Sequence, residues 1–211
     1  MADLRFTGER VVPGDMSEYM DVLSEHLSRY AFAIGFMRGS ERVLDAACGT
    51  GYGSFLLAMA TGSVLGLDVA PEAVEFASAH FSWPGLRYEA ADLDETPLPA
   101  AFDAVVSFET VEHLREPEAF VQGVARALRP EGLFICSIPR NQPSDFHRHV
   151  YEFEGARALV EPWFEDVHWF GQTDRVTPAG TLHGAAISED GVENARYFIA
   201  VCRSPRATTP E

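Results

Sequence analysis

Apolar and polar positions along the chain alternate in blocks. From about Ser17 to Met37 apolar residues recur at helical spacing, with Tyr19, Leu23, His26-Leu27 and Tyr30 on a broadly shared face. Short apolar runs then alternate with helical stretches. The pattern predicts strands over 42–46, 63–67, 86–89, 103–107 and 132–138, and helices over 52–60, 71–80 and 117–128. Such alternation calls for an α/β fold, a parallel sheet with helices on both faces. The last third differs: a short helix near 153–160, a strand near 165–171, a polar Gly/Thr/Ser/Asp stretch over 172–194 and a final strand near 196–202. Residues 1–16 are polar, with turn signals at Thr7-Gly8-Glu9-Arg10 and Pro13-Gly14. The expected organisation is an N-terminal cap segment and helix over 1–38, one domain over 39–204 and a frayed tail over 205–211.

One stretch carries chemistry as well as pattern. Val43-Leu44-Asp45-Ala46-Ala47-Cys48-Gly49-Thr50-Gly51-Tyr52-Gly53 reads as a strand, a Gly-rich turn and the start of a helix. Glycines at alternate positions let a ligand lie against the main chain. The next apolar strand, Val64-Leu65-Gly66-Leu67, ends in Asp68, placed to accept hydrogen bonds from the two hydroxyls of a ribose. A dinucleotide turn, G-x-G-x-x-G, aims a helix N-terminus at a pyrophosphate. Here the glycines run G-x-G-x-G, Ser54 stands where the third should be, and Asp45 before the loop would repel phosphate but could hold an ammonium. S-adenosylmethionine carries an ammonium, a sulfonium and a ribose but no phosphate, and suits Asp45 plus Asp68 better than NAD does. The bland alternative is a generic strand-turn-helix with solvated acids.

At these residues the sequence resembles the class I S-adenosylmethionine-dependent methyltransferases, of the methyltransferase type 11-like, small bacterial subgroup. Val43 to Gly51 matches their first motif, Gly66-Leu67-Asp68-Val69 their second-strand motif and Ala91-Asp92-Leu93 the segment that meets adenine. Phe102 to Ser107, then Phe108-Glu109-Thr110-Val111-Glu112-His113-Leu114, looks like their fourth strand and the loop after it, and Leu128 to Ile135 like the turn into the fifth. The resemblance implies a Rossmann-like sheet of seven strands, mostly parallel with an antiparallel edge hairpin. It also implies that Tyr30, Asp45, Ala46, Gly49, Thr50, Gly51, Asp68, Val69, Asp92, Leu93, Phe108 and Glu109 hold S-adenosylmethionine.

Composition narrows the partners. The chain has 211 residues, 46% of them apolar, enough for one α/β domain with a full core. Thirty-two acids against sixteen bases give a net charge of −16, and the bases are scattered. A nucleic-acid substrate would call for a basic face, so RNA and DNA are not expected as partners. No apolar run approaches a membrane span, and Met1 to Arg10 has no secretory h-region, so a cytoplasmic protein is expected. Cys48, Cys136 and Cys202 read as reduced core thiols. Edge-strand aromatics hint at a homodimer.

The acceptor end is read from the loops after the strands. Methyl transfer from a sulfonium is a direct displacement, which needs an aligned nucleophile and sometimes a base. Phe6 to Pro13 with His26 to Tyr30 (His-x-x-Arg-Tyr) resembles the start of the same subgroup. It implies either a cap with Tyr30 and Arg10 near the methionine end or the acceptor, or a helix merely covering the sheet. Glu112, Arg140 and Asn141 join Arg10 as expected acceptor contacts. His113 is the first candidate base, or else shapes the pocket. In an extended segment His147, His149 and Tyr151 share one face, as base, acceptor contacts or loop packing. His113, His147 and His149 lack ligand spacing on one element, so no metal is expected. Trp163, Phe164, Trp169 and Phe170 read as packing; Arg175, His183 and Asp190 fall on an acceptor flap or a mobile loop. The activity expected is methyl transfer to an oxygen or nitrogen of a small molecule, such as a natural-product, sugar or nucleoside intermediate. The alternatives are a non-catalytic cofactor-binding partner subunit and an NAD-dependent oxidoreductase.

Overall fold

The computed structural model describes residues 16–37 and 42–206. Helix α1 (Met16–Ile34) leads into β1 (Arg42–Ala46), α2 (Tyr52–Ala60), β2 (Ser63–Asp68), α3 (Pro71–His80), β3 (Leu86–Ala90) and β4 (Phe102–Phe108). Then come α4 (Pro117–Ala127), β5 (Leu128–Pro139), α5 (Phe153–Val160), β6 (Phe164–Thr177), β7 (Gly180–Ser188) and β8 (Tyr197–Pro205). All eight strands form one sheet in the order β3-β2-β1-β4-β5-β8-β6-β7. The five from β3 to β5 are parallel, whereas β8 runs antiparallel between β5 and β6, and β7 antiparallel to β6.

The central strands are unbroken apolar runs because both of their faces are covered. Leu44, Val105, Phe134, Cys136, Phe198 and Ala200 face α4 and α5, packing on Phe120, Val121, Val124 and Leu159. Their alternates, Val43, Ala104, Val106, Ile135, Ile199 and Val201, face α1 and α2, packing on Tyr30, Ala33, Leu57 and Ala58. Period-two alternation thus serves two cores at once. All three cysteines are free and buried. Phe164 stacks on Phe134, Trp169 meets Phe153 edge-on and Phe170 packs against Phe32, so these aromatics are used within the chain.

The expected elements recur within a few residues, with one substantial difference. Eight strands stand where seven were expected, because most of the polar stretch 172–194 is a β-hairpin. Its register is set by distant partners. Gln172 is fully buried, and its Nε2 donates to the carbonyls of Glu25 (2.8 Å) and Gly184 (2.6 Å). Gly184 has φ +56, and a Cβ there would collide with Glu25. Glu25 is itself buried: Oε1 accepts from Arg196 at 2.6 Å and Oε2 from the Tyr197 hydroxyl at 2.8 Å. Helix α1 is therefore clamped to the antiparallel end of the sheet. Residues 1–15, with Arg10 and the first part of the expected cap segment and helix, 38–41, and 207–211 of the expected tail lie outside the described residues. Arg206 N–H still donates to the Trp163 carbonyl.

Candidate active site

The sheet order reverses between β1 and β4, and a cleft opens there at the carboxyl ends of the strands, where such folds bind ligands. The cavity measures about 830 Å³.

One wall is the turn between β1 and α2. Gly51 caps α2 at φ +87, a left-handed conformation, and a Cβ there would meet Ala77 Cβ at 2.5 Å. The Tyr88 hydroxyl donates to the Gly51 carbonyl at 3.0 Å and holds the turn down. Gly53 lets Tyr30 lie flat on α2, since any Cβ would penetrate the Tyr30 ring. Behind this turn lies Asp45, fully buried and not on the cavity wall. It accepts from Ser54 Oγ at 2.6 Å and from the Tyr30 hydroxyl at 3.2 Å. Burial raises it to about 7, against those two hydrogen bonds and with help from the charge of Asp68. Ala46 is likewise core.

Asp68 ends β2 on the cavity wall, where Oδ2 accepts from Gly49 N–H at 2.8 Å and Oδ1 from Ala70 N–H at 3.0 Å. Gly49, Thr50, Val69, Asp92 and Leu93 line the same end. Tyr30 and Phe108, in edge contact at 5.0 Å, form the floor towards β4. Glu109 follows at φ +52, and its Oε1 accepts from Arg29 Nη1 and from Ser137 Oγ, both at 2.8 Å.

The opposite wall comes from the loops after β4 and β5. Thr110, His113, Asp145, His147 and Arg148 line it. The segment 144–151 is not extended throughout: Ser144 Oγ accepts from Phe146 and His147 N–H, which turns the chain. His147 therefore points into the cavity while His149 does not; His149 Nε2 lies 3.0 Å from the Leu114 carbonyl. Tyr151 packs against the core, and burial pushes its hydroxyl up. Glu112 is fully buried behind His113, and burial first, then the charge of Glu109, raises its carboxyl well above the usual range. Arg140 pairs with Glu152 and Asn141 N–H donates to the Tyr151 carbonyl; neither lines the cavity. Arg175 and His183 sit on the hairpin, His183 between Asp174 (3.2 Å) and Asp21 (3.6 Å), also off the cavity.

Two residues of α1 gain weight from the structure. His26 lines the cavity beside Tyr52, and burial, then the Arg29 charge, holds it well below the usual imidazole range. Arg29 is fully buried and lies over the Tyr197 ring at 4.6 Å. Helical spacing from Tyr30 was the available signal for His26. The wall as a whole is acidic: Asp68, Asp92, Asp94, Glu95, Glu109 and Asp145 face it against Arg115 and Arg148. Such a set of carboxylates, with a glycine turn and aromatic floor, fits a cationic ligand bearing a ribose and does not fit a pyrophosphate.

Comparison with known proteins agrees with this chemistry. A family model described as a methyltransferase domain matches residues 44–136. The chain is 37% identical over 196 residues to a probable S-adenosylmethionine-dependent methyltransferase of Mycolicibacterium smegmatis, covering 88% of this chain and 72% of that protein. It is 38% identical over 164 residues to a ubiquinone biosynthesis O-methyltransferase of Xylella fastidiosa, covering 74% of this chain and 64% of the relative. Among solved structures, a Thermotoga maritima methyltransferase described as a possible histamine N-methyltransferase superposes with a TM-score of 0.69. The alignment spans 88% of this chain and 92% of that one at 16% identity, a likeness of fold.

Proposed function

Because this chain belongs to the S-adenosylmethionine-dependent methyltransferases, we propose that it methylates an oxygen or nitrogen of a small molecule held at the His113–His147 wall. A natural-product, sugar or nucleoside intermediate is the class of acceptor intended. When bound, S-adenosylmethionine supplies a methyl group made electrophilic by the sulfonium. Asp68 would hold the ribose hydroxyls, Asp92 and Leu93 the adenine, and the Gly49–Gly51 backbone with Tyr30 and Phe108 the methionine portion. Asp45 acts from behind, fixing the Tyr30 hydroxyl and the first turn of α2 through Ser54. The acceptor is left the polar end, where His113, His147 and Thr110 face the same space.

The observation that carries the reading is that one cavity joins the glycine turn to the histidine wall. The net charge of −16 supports a small acceptor over a polyanion. The test uses cofactor labelled in its methyl group, the purified protein and an extract of the source cells. Label is expected in one small-molecule peak and absent with Asp68→Ala. Label in protein, RNA or DNA would overturn the reading.

A further inference from the structure

Glu112 has no exposed surface, yet neither carboxylate oxygen receives a hydrogen bond among the described residues. A buried carboxylate without a donor is costly unless it takes up a proton or a cation reaches it. Two imidazoles stand in front of it. His113 turns Nε2 toward Glu112, 3.7 Å from Oε1, and the His147 ring meets His113 edge-on at 4.9 Å between centroids. One potential ligand atom from each of the three residues lies within 4.8 Å of the other two.

The tautomers are set by the backbone. His113 Nδ1 lies 3.1 Å from the Phe146 carbonyl and His147 Nδ1 2.6 Å from the Gln142 carbonyl. A carbonyl only accepts, so each Nδ1 carries the hydrogen and Nε2 becomes the lone-pair nitrogen. Metal-bound histidines are oriented in this way, the second nitrogen donating to a carbonyl or carboxylate. The two segments are also tied together: the Glu112 carbonyl accepts from Arg148 N–H at 2.7 Å and His149 N–H at 3.1 Å.

We propose that Glu112, His113 and His147 form a divalent-cation site of the zinc type at the acceptor end of the cavity. Two imidazoles and one carboxylate are a nitrogen–oxygen set suited to zinc, and three protein ligands leave a coordination position open. That position faces the cavity, because His113 and His147 line it while Glu112 closes the set from behind. Ligands around zinc stand about 3.3 Å apart, so the loop carrying His147 draws inward when the ion binds. This revises the expectation of no metal, which considered His149; that ring is engaged by Leu114, and the third ligand is the glutamate. A cation there favours an acceptor oxygen over a protonated amine. This last step rests on the proposed methyl-transfer reading of the cavity; the cation binding itself does not.

The test uses tag-free, full-length protein stripped with a chelator and titrated with Zn²⁺ alone, by calorimetry and by metal analysis after desalting. One ion per chain is expected, with affinity lowered about tenfold or more in both His147→Ala and Glu112→Gln. Circular dichroism shows whether each variant is folded, and the visible spectrum of Co²⁺-loaded wild type reports nitrogen and oxygen ligation without any substitution. Substoichiometric zinc on the wild type, or unchanged affinity in both folded variants, overturns the site. S-adenosylmethionine binding is measured on the same preparations. Zinc absent with cofactor bound defeats the cation site alone. Zinc bound with no small molecule methylated supports the site and defeats the proposed function, and the oxygen acceptor with it.

Discussion

Asp45→Asn should make the protein more stable above neutral pH and less stable in acid. The carboxylate is fully buried, and burial raises it from 3.8 to about 7 despite hydrogen bonds from Ser54 and Tyr30. At about 1.4 kcal/mol per pH unit, holding it ionised in the native state costs on the order of 4 kcal/mol above neutrality. A raised native pKa means that the native state binds more protons than the unfolded chain between those two values. Stability therefore falls as pH rises through that window, and the cost is complete above it. Asparagine has no charge to bury, and with its amide oxygen in the place of Oδ2 it still accepts from Ser54 Oγ and Tyr30 OH, but Oδ1, the second acceptor for Tyr30, becomes a buried amide nitrogen. That loss is about 1–3 kcal/mol. The variant should gain about 2 kcal/mol near pH 8, and the difference should change sign by about pH 5. Urea denaturation of both proteins across that range, followed by circular dichroism, gives the difference directly and cancels the other titrating groups. A difference that stays constant with pH would refute a buried, elevated Asp45.

Two other substitutions probe the cavity. Asp68→Ala should weaken S-adenosylmethionine binding about 10- to 100-fold, since the proposed charged acceptor for the ribose is lost and Gly49 and Ala70 N–H lose theirs; calorimetry giving wild-type affinity would mean the site is misplaced. Gly53→Ala should cost about 1–3 kcal/mol in thermal denaturation by driving a Cβ into the Tyr30 ring; an unchanged melting curve would mean that α1 does not pack on α2 as described.

What was legible in the sequence follows the physics of burial. Strands β1, β2, β4 and β5 lie between two cores, so they are continuous apolar runs with little else to mimic them. Asp68 ends β2, Asp92 follows β3, and His113 and His147 follow β4 and β5, so the carboxyl ends of the strands bring all four to the cavity, where motif and strand order had pointed. The β6–β7 hairpin was not legible, because its burial hangs on Gln172 bonding to a carbonyl 147 residues earlier, and no local pattern carries that. Asp45 was read as a ligand contact from its motif; its retreat behind the turn depends on Ser54 and Tyr30 closing over it. His149 turned away because Ser144 bends a segment whose alternation had been read as extended.

The clamp on Glu25 also sets an order of events during synthesis. Glu25 leaves the ribosome 147 to 172 residues ahead of Gln172, Arg196 and Tyr197, which hold it. Until then the edge of β5 has no β8 to pair with, and the Tyr197 ring that lies under Arg29 does not exist. The nascent chain can build the parallel half and its glycine turn early. The wall formed by His26 and Tyr30 is clamped only once β8 has been made, so the glycine turn precedes the cleft to which it belongs.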